Sequence, residues 1–166
     1  ILGIGGLGHL GIQYAAKFGY KVAAIGRGPQ NAALAEKLGA RVYIDNKATN
    51  PAEELQKLGG AQAILATAPS AKAASEVIDG LRPNGKLVVI GVDSSPIEVT
   101  PTQLVVGCKT LEGWAAGTPA DSEDTLQFSK LMGVHPMIET YPLEKAAEAY
   151  ARMLSGKAEF RVVLTM

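Results

Sequence analysis

Cysteine is nearly missing from this sequence: Cys108 is the only one among 166 residues. One thiol closes no internal disulfide and supplies no multi-cysteine zinc site. A charge excess is missing too. Sixteen basic and sixteen acidic side chains give zero formal charge. That argues against a domain that holds nucleic acid by neutralising phosphates, and it removes any polybasic membrane anchor. No apolar run approaches the ~20 residues that span a bilayer, and no secretory signal is present, so a cytoplasmic protein is expected. Aromatic residues make up only 5%. There is also no initiator Met. The chain opens on Ile1-Leu2-Gly3, directly before a glycine-rich loop, and is expected to be a fragment whose first strand is truncated.

Glycine, in contrast, is plentiful, with 19 residues. Many glycines with few aromatics suit tight turns and close backbone packing. The length suits one domain, or one domain with an appendage. Apolar spacing at Leu10, Tyr14, Ala15 and Phe18 predicts a helix over about 7–18, stopped by Gly19. A β-branched run predicts a strand at 21–25. Helices follow at about 30–38, 51–58, 71–80 and 101–106, with strands at 41–44, 61–66, 86–90 and 109–114. The 86–90 strand is expected after a Pro83-Asn84-Gly85 turn. Beyond Gly117 a helix at 121–132, a strand at 137–140, a Pro142-started helix over 143–155 and a strand at 160–166 complete the pattern. Alternating strands and helices imply an α/β fold: a Rossmann-type, doubly wound parallel sheet with helices on both faces. Residues 1–117 form the expected dinucleotide-binding core, and 118–166 a C-terminal segment folding back on it.

Gly3-x-Gly5-x-x-Gly8 fits the dinucleotide fingerprint. A strand stub precedes it, a helix opens on it, and a second strand follows. Gly3 permits the tight turn, Gly5 lets backbone approach a pyrophosphate, and Gly8 lets helix and sheet pack closely. Amides near Gly6 and Leu7 then face the phosphates at the positive end of the helix. The end of the second strand selects the dinucleotide. An NAD site usually carries an acid there for the ribose 2′-hydroxyl. This chain has Gly26-Arg27-Gly28, and no acid between Gly8 and Glu36. Arg27 suits a 2′-phosphate, which favours NADP, with NAD the lesser possibility.

Ile4-Gly5-Gly6-Leu7-Gly8-His9-Leu10, Leu38-Gly39-Ala40, Leu87–Val92 and Gly156…Phe160-Arg161-Val162-Val163-Leu164 resemble the zinc-containing alcohol dehydrogenases of the medium-chain dehydrogenase/reductase superfamily. The resemblance runs the length of the chain. It implies the family's coenzyme domain, with the zinc-bearing catalytic domain lying outside this chain. It implies pyrophosphate contacts from Gly5, Gly6 and Leu7, and ribose contacts from Gly26, Arg27 and Gly28. Thr67 and Ala68 would border ribose and adenine. Ile90, Gly91 and Val92 would hold the nicotinamide, Trp114 and Ala115 match the next cofactor-facing step, and Arg161 would approach the pyrophosphate. No catalytic or metal-ligating residue falls on the chain itself. The implied substrate is an alcohol/aldehyde pair. The strand at Lys109–Gly113 would pair across a dimer axis, giving a homodimer or tetramer. A zinc-free quinone or enoyl reductase, and a non-catalytic dinucleotide-binding module, are the alternatives.

Other features read as structural. Tyr141-x-x-x-Lys145 imitates the Tyr/Lys pair of short-chain dehydrogenases, but Pro142 marks a helix entry. His9 has no acidic or cysteine neighbour in sequence and reads as a first-turn helix residue at a cofactor or domain interface. His135 receives no role. Cys108 is expected to pack as a small hydrophobe, and Leu126 and Leu131 are expected on a core face. Asp121, Glu123 and Asp124 suit the positive end of a helix.

Overall fold

A computed structural model describes residues 1–166. The glycine loop opens α1 (Gly8–Lys17), followed by β1 (Ala23–Gly26), α2 (Ala32–Lys37) and β2 (Val42–Asp45). Next come α3 (Pro51–Lys57), β3 (Ala61–Ala66), α4 (Ala71–Glu76) and β4 (Leu81–Val89). The chain continues through α5 (Pro101–Val105), β5 (Thr110–Gly113), α6 (Pro119–Met132), β6 (Ile138–Pro142), α7 (Ala146–Leu154) and β7 (Arg161–Thr165). Helix starts follow local chemistry. Asn50, Ser70, Thr100 and Thr118 each accept backbone N–H bonds as N-caps. Thr118 and Asp121 form a reciprocal capping box, which accounts for one of the three acids at the start of α6.

Strands β1 and β2 pair in parallel, as do β3, β4 and β5. Residues 1–3 join the two groups. Leu2 bridges Ile25 on one side and Ala66 on the other. The bonds alternate: Ile25 N–H donates to Ile1 O, Gly3 N–H to Ile25 O, Leu2 N–H to Leu65 O and Thr67 N–H to Leu2 O. The opening stub is therefore a central strand. The sheet runs β2, β1, residues 1–3, β3, β4, β5, the doubly wound order with its switch point beside Leu2.

Neighbouring residues point to opposite faces of the sheet. On one face Ile12 of α1 and Ala35 of α2 pack with Val22, Ala24 and Ala40. On the other, Leu55 of α3 and Ala73, Ala74 and Val77 around α4 pack with Leu2, Ile25, Ile44, Ile64 and Leu87. Helices thus cover both faces, as the sequence pattern implies. Strands β6 and β7 form a separate parallel pair. Arg152 of α7 makes a two-pronged bond to Glu139 of β6, at 2.8 and 2.9 Å.

Several expectations need correction. The Pro83-Asn84-Gly85 turn lies inside β4, not before it. Pairing jumps from Ala61–Leu81 to Ala63–Lys86, so the extra residues bulge out, with Asn84 at φ 58°. Helix α4 ends at Glu76 and gives way to a 3-10 turn at Ile78–Gly80. Pro142 closes β6 instead of opening a helix, and Tyr141 is a strand residue paired with Leu164. Leu126 and Leu131 are exposed, because α6 meets α1 through Phe128 and Ser129. Cys108 is also exposed: it sits at φ 49° in the turn leading to β5, outside any core.

Candidate functional site

The carboxyl ends of the central strands bring most of the predicted site residues together. Gly3 turns the chain off the central strand at φ +98°, and its α-carbon faces Ala68 and Thr67 so closely that a Cβ would lie 2.9 Å from that of Ala68. Gly8 packs against the Gly3 carbonyl and Thr67 Oγ1, leaving no room for a Cβ. Gly5 is open: a Cβ there would meet nothing within 4 Å. None of the N–H groups of Gly5, Gly6, Leu7 and Gly8 donates to an acceptor within the chain. Four adjacent free donors thus open α1, which has no side-chain N-cap, and a helix start with free amides is where an anion can be received.

Thr67 and Ala68 continue from β3. Their N–H groups donate to Leu2 O, and the Thr67 hydroxyl donates to Leu2 O at 3.0 Å. From β4, the N–H groups of Ile90 and Gly91 both donate to Ala66 O, and Gly91 sits against the Ala68 carbonyl. Val92 projects outward, 89% exposed, and takes no part in this packing. Trp114 N–H donates to Val89 O, extending the row of strand ends to β5. A small cavity of about 60 Å³ lies here, lined by Ala66, Ala68, Gly91 and Asp93 among others. A larger one, about 210 Å³, opens at the far edge of the sheet along β2 and α3. Size does not decide between them, because the unbonded amides lie at the glycine loop.

The turn after β1 is clamped by β2. Gly28 N–H donates to Asp45 Oδ1 at 2.7 Å, and the Tyr43 hydroxyl donates to Gly28 O at 2.6 Å. Gly28 takes φ +80°, which glycine adopts without strain. Gly26 is buried against the Tyr43 ring and Ile4. Arg27, between them, is exposed and forms no salt bridge. Sequence spacing missed Asp45. It stands opposite Gly26 in the β1–β2 register, and the same Oδ1 also accepts from Lys47 N–H. The acid absent from β1 is thus present on the next strand, with one oxygen committed to backbone amides.

Arg161 comes to the loop from the first residue of β7. Its guanidinium carbon lies 3.2 Å from where a Gly6 Cβ would be. His9 links these parts. It is fully buried. Its Nδ1 lies 2.9 Å from Gly5 O, its Nε2 accepts Met137 N–H at 3.1 Å, and its ring stacks on Phe160 with centroids 4.8 Å apart. Burial holds the imidazole below its usual value of 6.5. Arg161 pushes the same way, and the carbonyls of Gly5 and Gly6 oppose.

The folded ring therefore stays neutral where the unfolded ring binds a proton. Stability from this site is complete above about pH 6.5 and falls as pH drops from there toward the lowered folded value. Thermal melts at pH 7.5 and 5.5 check this: the midpoint is expected to drop at the lower pH, and the drop to shrink in His9→Phe. The Glu139 carboxyl behaves differently. Bonded to Arg152 and then to Glu159 N–H, it titrates at about 2, so its stabilisation begins to fade only below about pH 4.5.

No three His, Cys, Asp or Glu side chains gather in a group that could hold a metal ion. Both His9 nitrogens are engaged, and Cys108 is exposed. This donor set does not form a zinc site.

Sheet order, glycine turn and the unbonded amides together define a Rossmann-type domain with four free donors at its switch point. The family model "Zinc-binding dehydrogenase" matches residues 6–131. The chain belongs to this family, within the medium-chain dehydrogenase/reductase superfamily, and membership implies a nicotinamide cofactor. It is 45% identical over 166 residues to alcohol dehydrogenase patD of Penicillium expansum, a match spanning 100% of this chain and 48% of that protein. A cinnamyl alcohol dehydrogenase structure from Sorghum bicolor superposes with a TM-score of 0.85 at 28% identity, over 98% of this chain and 46% of that one. The alcohol dehydrogenase of Aeropyrum pernix shares the fold, with a TM-score of 0.88 at 21% identity, over 100% of this chain and 49% of its own. The chain spans about half the length of the curated relatives it matches.

Proposed function

We propose that this chain is the coenzyme-binding half of a zinc-dependent, NADPH-preferring alcohol dehydrogenase acting on an alcohol/aldehyde pair. The observation that carries the reading is the run of unbonded amides at Gly5–Gly8 with the Arg161 guanidinium beside it. A pyrophosphate needs donors and positive charge in that arrangement. Gly3 and Gly8 pack the loop tightly enough to hold the cradle rigid, and the open space at Gly5 admits the phosphate. The exposed Arg27 pairs with a 2′-phosphate, while Gly26 and Gly28 line the ribose. Thr67 and Ala68 border ribose and adenine, and Ile90, Gly91 and Val92 flank the nicotinamide.

A nicotinamide held by these residues would supply hydride exchange with the substrate carbon. This chain binds and orients the cofactor and walls one side of the cleft. The zinc and most substrate contacts belong to the other half of the enzyme, so this chain alone binds dinucleotide weakly and turns nothing over. Residues 118–166 face that other half, which agrees with the exposed Leu126, Leu131, Tyr150 and Leu154. The β5 edge at Lys109–Gly113 pairs with a second copy, which removes an open sheet edge. The protein works in the cytoplasm. No helix is long and apolar enough to cross a membrane.

Fluorescence titration of the chain with NADPH and NADH tests the reading. Saturable binding of both is expected, tighter for NADPH. No saturable change with either would overturn it.

A further inference from the structure

We infer that His9 is the positioning residue that sets Arg161 beside the glycine loop, and that it does so as a neutral imidazole with its proton on Nδ1. The inference rests on the dinucleotide reading but concerns a residue that the reading leaves unused. The tautomer follows from the partners. Nε2 accepts Met137 N–H and so carries no proton. Nδ1 must hold it and donate to Gly5 O, an acceptor.

The path to Arg161 is short. Met137 gives its N–H to His9, and its carbonyl accepts the N–H groups of Phe160 and Arg161. Phe160, one residue before Arg161, stacks on the imidazole. One ring therefore ties the Gly5 carbonyl to the backbone that aims the guanidinium at Gly6. A general anchor for the C-terminal segment is not required of it. Gln13 exchanges two bonds with His135, at 2.9 and 3.2 Å, and the Tyr14 hydroxyl meets Ser129 Oγ at 2.6 Å. These contacts hold the segment on α1 without His9. What His9 adds is the register between cradle and cation.

A double-mutant cycle on the full chain tests this. ADP-ribose serves as the pyrophosphate-bearing probe and adenosine 2′-monophosphate as the probe without a pyrophosphate. Arg161→Gln is expected to weaken ADP-ribose about 10-fold, the scale of one lost charged hydrogen bond. His9→Asn keeps a donor for Gly5 but is too short for Met137, and is expected to weaken ADP-ribose about 5-fold. The double variant should lose about 10-fold, not the roughly 50-fold of independent sites. His9→Gln, long enough to offer an oxygen to Met137 N–H, should lose less than His9→Asn. The adenosine probe should be unchanged throughout. Multiplicative losses, or equal weakening of both probes, would reduce His9 to a structural role and overturn the inference.

Two ligand-free readouts accompany the cycle. Nitrogen-15 spectra at neutral pH should show Nδ1 protonated and Nε2 bare. The Gly6 amide resonance, displaced in Arg161→Gln, should move the same way in His9→Asn. A charged ring, the opposite tautomer, or a Gly6 amide indifferent to His9→Asn overturns the inference even if no probe binds. Failure of the wild-type chain to bind any probe, by itself, strikes the dinucleotide reading.

Discussion

Replacing Gly8 with alanine is expected to destabilise the protein and abolish dinucleotide binding together. Two effects compete. Alanine is the better helix former, by about 1 kcal/mol in a helix interior. Against that, the new Cβ would collide with the Gly3 carbonyl, lying 2.8 Å from its carbon and 2.9 Å from Thr67 Oγ1. Backbone cannot swing aside as a side-chain tip can, so overpacking here costs about 3 kcal/mol or more. The collision wins, with a net loss of about 2 kcal/mol or more. For a chain of this size that lowers the melting midpoint by roughly 4–8 °C. Calorimetry reads the stability, and the same sample titrated with NADPH reads the binding. The loop would have to shift away from the central strand, displacing the unbonded amides of Gly5–Gly8. Gly5→Ala makes the contrast: nothing lies within 4 Å of its Cβ position, so stability should hold while phosphate binding falls.

Arg27→Asp is expected to reverse the choice of dinucleotide. In the wild type the exposed guanidinium has no acidic partner, which leaves it free for the proposed 2′-phosphate contact. A charge-assisted hydrogen bond of this kind contributes about 1.5–3 kcal/mol, or roughly 10–100-fold in affinity. Aspartate removes it and repels the phosphate, while offering an acceptor to the 2′-hydroxyl of NAD. The turn itself should survive, because Asp45 and Tyr43 hold Gly28 and neither bonds the Arg27 side chain. Parallel titrations of both variants with NADPH and NADH read the ratio. An unchanged ratio, or tighter NADH binding in the wild type, would end the case for NADPH.

The fold was legible because each signal was local. The Gly3, Gly5 and Gly8 spacing, the Gly19 helix stop and the β-branched runs each act within a few residues, and the structure uses them where the sequence places them. The two-residue stub Ile1-Leu2 was read as a strand for the same reason, although its partners are distant.

What stayed hidden depends on contacts across the chain. Asp45 reaches Gly28 only because β2 pairs with β1 in a register that sets it opposite Gly26. His9 looked isolated because its partner Met137 lies 128 residues away. Leu126 and Leu131 were expected on a core face, yet they lie five residues apart, off a single helix face, and the contacts of α6 with α1 run through Phe128 and Ser129. The bulge at Asn84 was read as a strand boundary because Pro-Asn-Gly is a turn signal in either setting. Of the site, the glycine loop was readable from its spacing. The approach of Arg161 to the pyrophosphate site was an expectation from family resemblance, and the contacts of His9 with Gly5 and Met137 emerge only in the folded chain.

The most direct measurement is an amide-resolved NMR titration of the chain with NADPH. The account predicts that the largest shifts fall on Gly5, Gly6, Leu7 and Gly8, with further shifts at Arg27–Gly28, Thr67–Ala68 and Ile90–Val92. Shifts confined to the β2 edge around Val42–Asp45 and Lys57, with the glycine-loop amides unmoved, would contradict it.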